Sequence, residues 1–263
     1  MYVFFVIICV QIILESLPVS SSGHIMLLES FLQCYYPAAV IAVSENKIVT
    51  YFLHGPTAIV LAVFFWDRWI FLLRHIATVW RIVIKIIVLA FVADLMSFLF
   101  YLFFNYVIDI SGFPVGIGFV ISCICLYSLR FLNRENYTMV TWDKALLIGA
   151  LQGVALLPGV SRFGLTFVAG CWLGLSAKKS FEFSFAIQWP LIIAGLVKGI
   201  SKISSADAYI FFNISMLFVT VLSSIVAFFF LNLVYIMALT NRLWIFSVFL
   251  LGSFGVWLTF CFF

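Results

Sequence analysis

Side chains capable of chemistry gather around two short Pro/Gly/Ser clusters in this sequence. The first cluster reads Pro18-Val19-Ser20-Ser21-Ser22-Gly23, with Gln11 and Glu15 before it and His24 directly after it. Gln11 and Glu15 stand at i and i+4, so on a helix they share one face. A carboxylate beside an amide suits a hard cation such as Mg²⁺ or Ca²⁺, or it can hold a water. Ser20, Ser21, Ser22 and Gly23 offer hydroxyls and free backbone N–H groups, a combination that cradles phosphate oxygens. His24 follows within one turn of Ser21, and a hydroxyl with a nearby imidazole is the minimal nucleophile and general-base pair. The second cluster reads Pro158-Gly159-Val160-Ser161-Arg162-Phe163-Gly164 and is preceded by Gln152. Its glycines permit close backbone approach. Arg162 carries a planar fork of donors suited to bidentate phosphate binding. Together these groups point to phosphoryl transfer on an amphiphilic substrate. The plainer alternative is a buried salt bridge among Glu15, His24 and Arg162 that only locks the two clusters together.

The elements that must hold these residues follow from composition. Of 263 residues, 66% are hydrophobic and only 9% charged, and 14 basic with 10 acidic side chains cannot make a soluble surface for a chain of this size. The sequence therefore specifies an all-α integral membrane protein. A soluble enzyme, a disordered chain and a disulfide-stapled secreted domain are excluded. Long continuous apolar runs argue against a transmembrane barrel, whose strands alternate in short segments. The net charge of +4 gives no reason to expect a nucleic-acid partner. The six cysteines, including Cys123 and Cys125 at i and i+2, lie in or beside apolar runs and read as packing residues. Residues 1–17 lack the basic start of a signal peptide and are interrupted by Gln11 and Glu15, so they are expected to belong to the folded protein.

Apolar runs between charged or turn-forming breaks give the organisation. Full spans are expected at about 48–65, 82–104, 113–132, 183–200, 208–234 and 243–263, with basic loops at 66–81 and 130–144. Two pairs of shorter pieces, 1–17 with 24–43 and 145–157 with 164–175, flank the two clusters. Pieces too short to cross, meeting at a Pro/Gly tip, read as re-entrant helical hairpins. The expectation is thus one membrane domain over 1–263, with about six transmembrane helices and two re-entrant hairpins. The clusters lie about 140 residues apart and each precedes roughly three spans, which suggests repeats at about 1–132 and 145–263. If the basic loops carrying Arg68, Arg74, Arg81, Arg130, Arg134 and Lys144 face the cytoplasm, the hairpins enter from opposite sides. The repeat is then inverted and both termini are external.

Here the motifs become recognisable. Gln11-x-x-x-Glu15 with Leu17-Pro18-Val19-Ser20-Ser21-Ser22-Gly23-His24 resembles the first signature of the bacterial undecaprenyl-diphosphate phosphatases, the bacitracin-resistance membrane family. Pro158-Gly159-Val160-Ser161-Arg162 resembles the second signature, and Phe52-Leu53-His54-Gly55-Pro56-Thr57-Ala58 is similar to a third stretch. Leu173-Gly174-Leu175-Ser176, with Phe183-Ser184-Phe185 and Pro190, resembles the segment after the second signature. The resemblance covers most of the chain in order and spacing. It implies metal-dependent hydrolysis of a polyprenyl diphosphate, undecaprenyl diphosphate, to the monophosphate in the bacterial cytoplasmic membrane, recycling the lipid carrier for cell-wall synthesis. Family functional positions carry over onto Gln11, Glu15, Ser21, His24 and Arg162, which implies catalytic roles for Glu15, Ser21 and His24 and a phosphate contact from Arg162. The tip residues Ser20, Ser22, Gly23 and Ser161 are expected to join that phosphate cradle. The resemblance places a divalent cation, Mg²⁺ or Ca²⁺, at Gln11 and Glu15, and it leaves the oligomeric state open. The chain departs from the family at Phe163, where a serine usually stands, and at Asp94, where small residues or proline are expected. Asp94 reads as a helix–helix partner, an interface-facing carboxylate or part of a proton path; His54 reads as a packing residue or a direct site contact. Architecture alone also allows a rival from another class, a carrier that flips a polyprenyl phosphate or moves an ion.

Overall fold

The computed structural model describes residues 2–38, 40–41, 53–107, 112–132, 139–202 and 213–262. The first residues of the spans expected at 48–65 and 208–234, together with Phe52 and Arg134, lie outside the described residues. Among the described residues the chain is helical and contains no strand. The helices are α1 (Tyr2–Leu14), α2 (Ser21–Gln33), α3 (His54–Phe64), α4 (Trp66–Arg74), α5 (Ile76–Tyr106) and α6 (Val115–Ser128). They continue with α7 (Trp142–Val154), α8 (Arg162–Trp172), α9 (Ala177–Lys202), α10 (Ile214–Leu239) and α11 (Phe246–Phe262). Three of them, α5, α9 and α10, are long and apolar enough to cross a membrane, as is α11 together with the 3-10 turn Leu243–Ile245 that leads into it, and the bent pair α3–α4 passes that test jointly. Large side chains such as Ile87, Phe91, Phe218 and Phe229 stay exposed on these helices, as a lipid-facing surface requires. The protein is an all-α, multi-pass integral membrane protein.

Two segments differ from the sequence expectation: the full span expected at 113–132 holds the shorter α6, 14 residues long, and the loop expected at 66–81 is helical. Residues 66–74 are not a loop but helix α4, bent by 62° from α3, and α5 already begins at Ile76. The charges of Arg68 and Arg74 interrupt the apolar run without interrupting the helix. Trp66, Trp69, Ile70 and Leu73 supply an amphipathic pattern, no residue of α4 is buried, and Arg68 reaches Glu182 at 2.7 Å.

The two hairpins end and restart alike. After α1, Glu15 N–H donates to the Gln11 carbonyl, and then Ser16 and Leu17 close tighter turns onto Ile13 and Leu14. After α7, Ala155 donates to Leu151, and Leu156 and Leu157 close the same tighter turns onto Gly153 and Val154. Pro18 and Pro158 follow and prevent continuation of the helix. Each return helix is capped by a serine: Ser20 Oγ accepts from Gly23 N–H at 3.2 Å, and Ser161 Oγ accepts from Gly164 N–H at 3.1 Å. These bonds satisfy the backbone that a helix end would otherwise leave bare inside a membrane.

Packing brings the tips together. α1 lies on α10 and α2, α7 lies on α5, and α8 packs against α9, α7 and α6, while α6 and α11 form their own pair. A Cβ on Gly23 would sit 2.8 Å from the Gly159 Cα, so only glycine lets the tips meet. Gly159 also adopts a left-handed φ of +83°, a conformation that disfavours side chains. Ser122 of α6 ties the second tip down, its Oγ accepting from Ser161 N–H at 2.8 Å.

Gly118 of α6 provides the floor for this arrangement, because a Cβ there would lie 2.0 Å from the Pro158 carbonyl oxygen. Gly118→Ala is expected to cost about 1–3 kcal/mol of stability through overpacking. Gly252→Ala, where nothing stands within 4 Å, serves as the control. Thermal melting in detergent measures both, and equal melting temperatures would contradict the tight tip packing.

Candidate functional site

A cavity of about 460 Å³ opens where the two tips meet. Its polar lining comes from the first hairpin through Gln11, Glu15, Ser20, Ser21, Ser22 and Glu29, and from the second through Arg162. His54 and Thr57 of α3 and Gln188 of α9 complete it, with Phe163, Val160 and Ile192 among the apolar walls. Of the groups that the sequence placed on two separate clusters, Gln11, Glu15, Ser20, Ser21, Ser22 and Arg162 thus share one cavity, whereas Gly23, His24 and Ser161 do not line it.

Glu15 sits in the unwound turn after α1, and its carboxylate is held from α3. Thr57 Oγ1 donates to Glu15 Oε2, and His54 Nδ1 lies 3.5 Å from Oε1. His54 is in turn pressed against α9, where a Cβ on Gly195 would stand 2.5 Å from its Cδ2. Gln11, one turn back along α1, is buried and lines the same cavity. Arg162 opens α8 and enters the cavity from the other hairpin. Its Nε is buried without a hydrogen-bond partner, and Glu15 and Asp94 are the carboxylates whose charge reaches it. The guanidinium therefore faces the cavity with donor capacity to spare.

The serines divide their tasks. Ser20 caps α2 and lies 3.2 Å from Ser22 Oγ. Ser21 lines the cavity beside them. Ser161 is buried, occupied by its cap on Gly164. Gly23 is consumed by the tip contact with Gly159.

His24 is placed differently from the expected approach to the Ser21 hydroxyl. Its Nδ1–H donates to the Ser20 carbonyl at 2.6 Å, and its Nε2 lies 2.9 Å from Ser253 Oγ on α11. The ring stacks on Phe249 with centroids 5.3 Å apart and is tilted 4.9 Å from Phe119. His24 thus occupies the α6/α11 side of the tip, whereas Ser21 faces the cavity. Two residues on one helical turn need not point to one space, and the sequence carried no signal for Ser253. Thr57 and Gln188 were also not singled out from sequence, since an isolated Thr or Gln in an apolar span looks like a packing residue. Phe163 is buried and stacks on Phe185 at 4.8 Å, so the position usually held by a serine here extends an aromatic cluster.

The donor set suits a hard cation that brings much of its own shell. Among the described residues no three His, Cys, Asp or Glu side chains converge. A carboxylate and an amide on one wall are what Mg²⁺ uses when phosphate oxygens and waters supply the rest. The Glu15 carboxylate retains lone pairs beyond those engaged by Thr57 and His54.

Fold and site together define an all-α integral membrane protein in which two helical hairpins meet at a polar cavity. The sequence matches the bacitracin resistance protein BacA family over residues 4–256, and the chain belongs to that family. It is 28% identical over 265 residues to an undecaprenyl-diphosphatase of Borrelia recurrentis (strain A1), covering 92% of each chain. It is 35% identical over 214 residues to one of Campylobacter concisus (strain 13826), covering 77% of this chain and 78% of the relative.

Thr57→Val keeps shape and removes the donor to Glu15. The expected loss is about 1.5–3 kcal/mol, the worth of a hydrogen bond to a charged group, while Thr57→Ser stays near wild type. Melting in detergent measures it, and in a Glu15→Gln background the loss should shrink. A loss that is unchanged there would mean that Thr57 acts through packing.

Proposed function

We propose that this protein hydrolyses undecaprenyl diphosphate to undecaprenyl phosphate and inorganic phosphate in the bacterial cytoplasmic membrane. The observation that carries the reading is the single cavity in which Arg162 of one hairpin faces Glu15 and Ser21 of the other. Membership of the BacA family and the names of its relatives supply the substrate. The reaction returns the lipid carrier to cell-wall synthesis, which agrees with the bacitracin-resistance description of the family.

Arg162 grips the diphosphate oxygens through its fork, and Ser20, Ser22 and the tip N–H groups orient them. Gln11 and Glu15 would hold a divalent cation, Mg²⁺ or Ca²⁺, which when bound neutralises charge on the diphosphate. Ser21 Oγ attacks the terminal phosphorus: the Oγ–P bond forms, and the P–O bond to undecaprenyl phosphate breaks. The Ser21 proton passes to His24, one turn along α2, as its Nε2 exchanges Ser253 for Ser21. Water then attacks the phosphoserine, releasing inorganic phosphate and restoring the hydroxyl. The like-built hairpin turns and the paired contacts α1–α10 with α5–α7, and α3–α10 with α5–α9, support two halves in inverted repeat. The basic residues Arg68, Arg74, Arg81 and Arg130 support an orientation with their faces in the cytoplasm and both termini outside. Carrier activity shares the architecture, but the family and the phosphate-directed donors favour the hydrolase.

Purified protein in detergent should release phosphate from undecaprenyl diphosphate. Release should cease with a chelator and in His24→Ala, and persist in Ser253→Ala. Absence of chelator-sensitive release above the His24→Ala background would overturn the reading. Acid-quenched turnover should leave a phosphate on the Ser20–Ser22 peptide. Its absence, with substantial activity left in Ser21→Ala, would transfer the attack to water.

A further inference from the structure

Asp94 lies well inside α5, one of the long apolar helices, where an unpaired carboxylate is costly and tends to mark function. Its Oδ1 accepts from Gln152 Nε2 at 2.8 Å. Gln152 is 1% exposed and sits on α7 just before the second hairpin turns toward Arg162. Neither residue lines the cavity, but Arg162 does. Three polar atoms on these neighbours are buried without a partner: Asp94 Oδ2, Gln152 Oε1 and Arg162 Nε. Two are acceptors and one is a donor, and since no hydrogen bond joins them in the structure, a bridging water is what would close the set.

The joint that carries the pair is unusually tight. A Cβ on Gly149 would fall 2.4 Å from the Ala93 carbonyl oxygen, and one on Gly153 would fall 2.6 Å from the Phe100 Cβ. Ser97 Oγ donates across the same joint to the Gly149 carbonyl at 2.8 Å. Asp94 therefore has little freedom to follow a moving partner.

We propose that Asp94, held by Gln152, is a positioning residue that fixes the Arg162 guanidinium from outside the cavity while the diphosphate engages it from within. The proposal rests on the reading of Arg162 as the phosphate clamp. Glu15 and Asp94 both interact favourably with the Arg162 charge, Glu15 from the turn after α1 and Asp94 from within α5. Glu15 shares the cavity with the anionic substrate, whereas Asp94 supplies an anchor that substrate binding does not disturb. Such outer-shell carboxylates orient the group that touches substrate.

The test is a double-mutant cycle on the full chain in detergent, with kcat and KM measured on undecaprenyl diphosphate for Asp94→Asn, Arg162→Lys and both. Asp94→Asn keeps an acceptor for Gln152 and removes the charge. It should lower kcat/KM about 10–100-fold with Arg162 present, at an unchanged melting temperature. In the Arg162→Lys background the same change should cost less than about threefold. Wild-type kinetics in Asp94→Asn, or an equal loss in both backgrounds, would overturn the positioning role and leave the clamp standing. Wild-type kinetics in Arg162→Lys would instead bring down the clamp reading itself. Should Asp94→Asn melt early, Asp94→Glu restores the charge and must restore kcat/KM, and its failure to do so overturns the proposal.

Discussion

Opposite charges must be kept inside an apolar helical bundle, and the rest of this structure serves that constraint. A charged side chain near the middle of a membrane costs about 2.5–3.5 kcal/mol on the insertion scale. Glu15 and Arg162 line one cavity, and the charge of the first reaches the second. Each comes from a different hairpin, so the site exists only while both tips stay in place. The supporting groups follow the same logic: Thr57 and His54 hold Glu15, and Asp94 lies behind Arg162 with Gln152.

Irregular backbone is tolerated at membrane depth only where protein or water satisfies it. Both tips meet this demand with serine caps and tightened last turns, and the second adds a strut from Ser122. The cost is a series of glycines that cannot be replaced, since Gly23, Gly118 and Gly159 stand against backbone. Rigidity at the tips is what keeps the Ser20, Ser21 and Ser22 residues in fixed positions at the cavity. A preorganised cradle of this kind loses little reorganisation energy when charge develops on a phosphoryl group.

Much of this was legible in the sequence because its signals are local. Short apolar pieces around Pro18–Gly23 and Pro158–Gly164 announce the hairpins, and ionisable groups beside them announce a site. The bend at Phe65 was not legible, because hydropathy registers the charges of Arg68 and Arg74 as a loop while the helix continues through them. Nor were the partners of His24. A spacing of three residues from Ser21 gives proximity along the helix, but the ring direction is decided by Phe249 and Ser253 more than 220 residues away. Thr57 and Gln188 gain meaning only from the cavity that packing makes. Asp94 stood out as a charge in an apolar run, yet its link to Gln152 needed the α5–α7 joint.

The central claim is that Glu15 and Arg162 compensate each other across the cavity. It is tested most directly by thermal unfolding of Glu15→Gln, Arg162→Gln and the double variant in detergent. Either single change deprives the remaining charge of its counterpart across the cavity, so the double variant should be more stable than the sum of the single losses, by a coupling of about 1–3 kcal/mol. Strict additivity of the two losses would contradict the account.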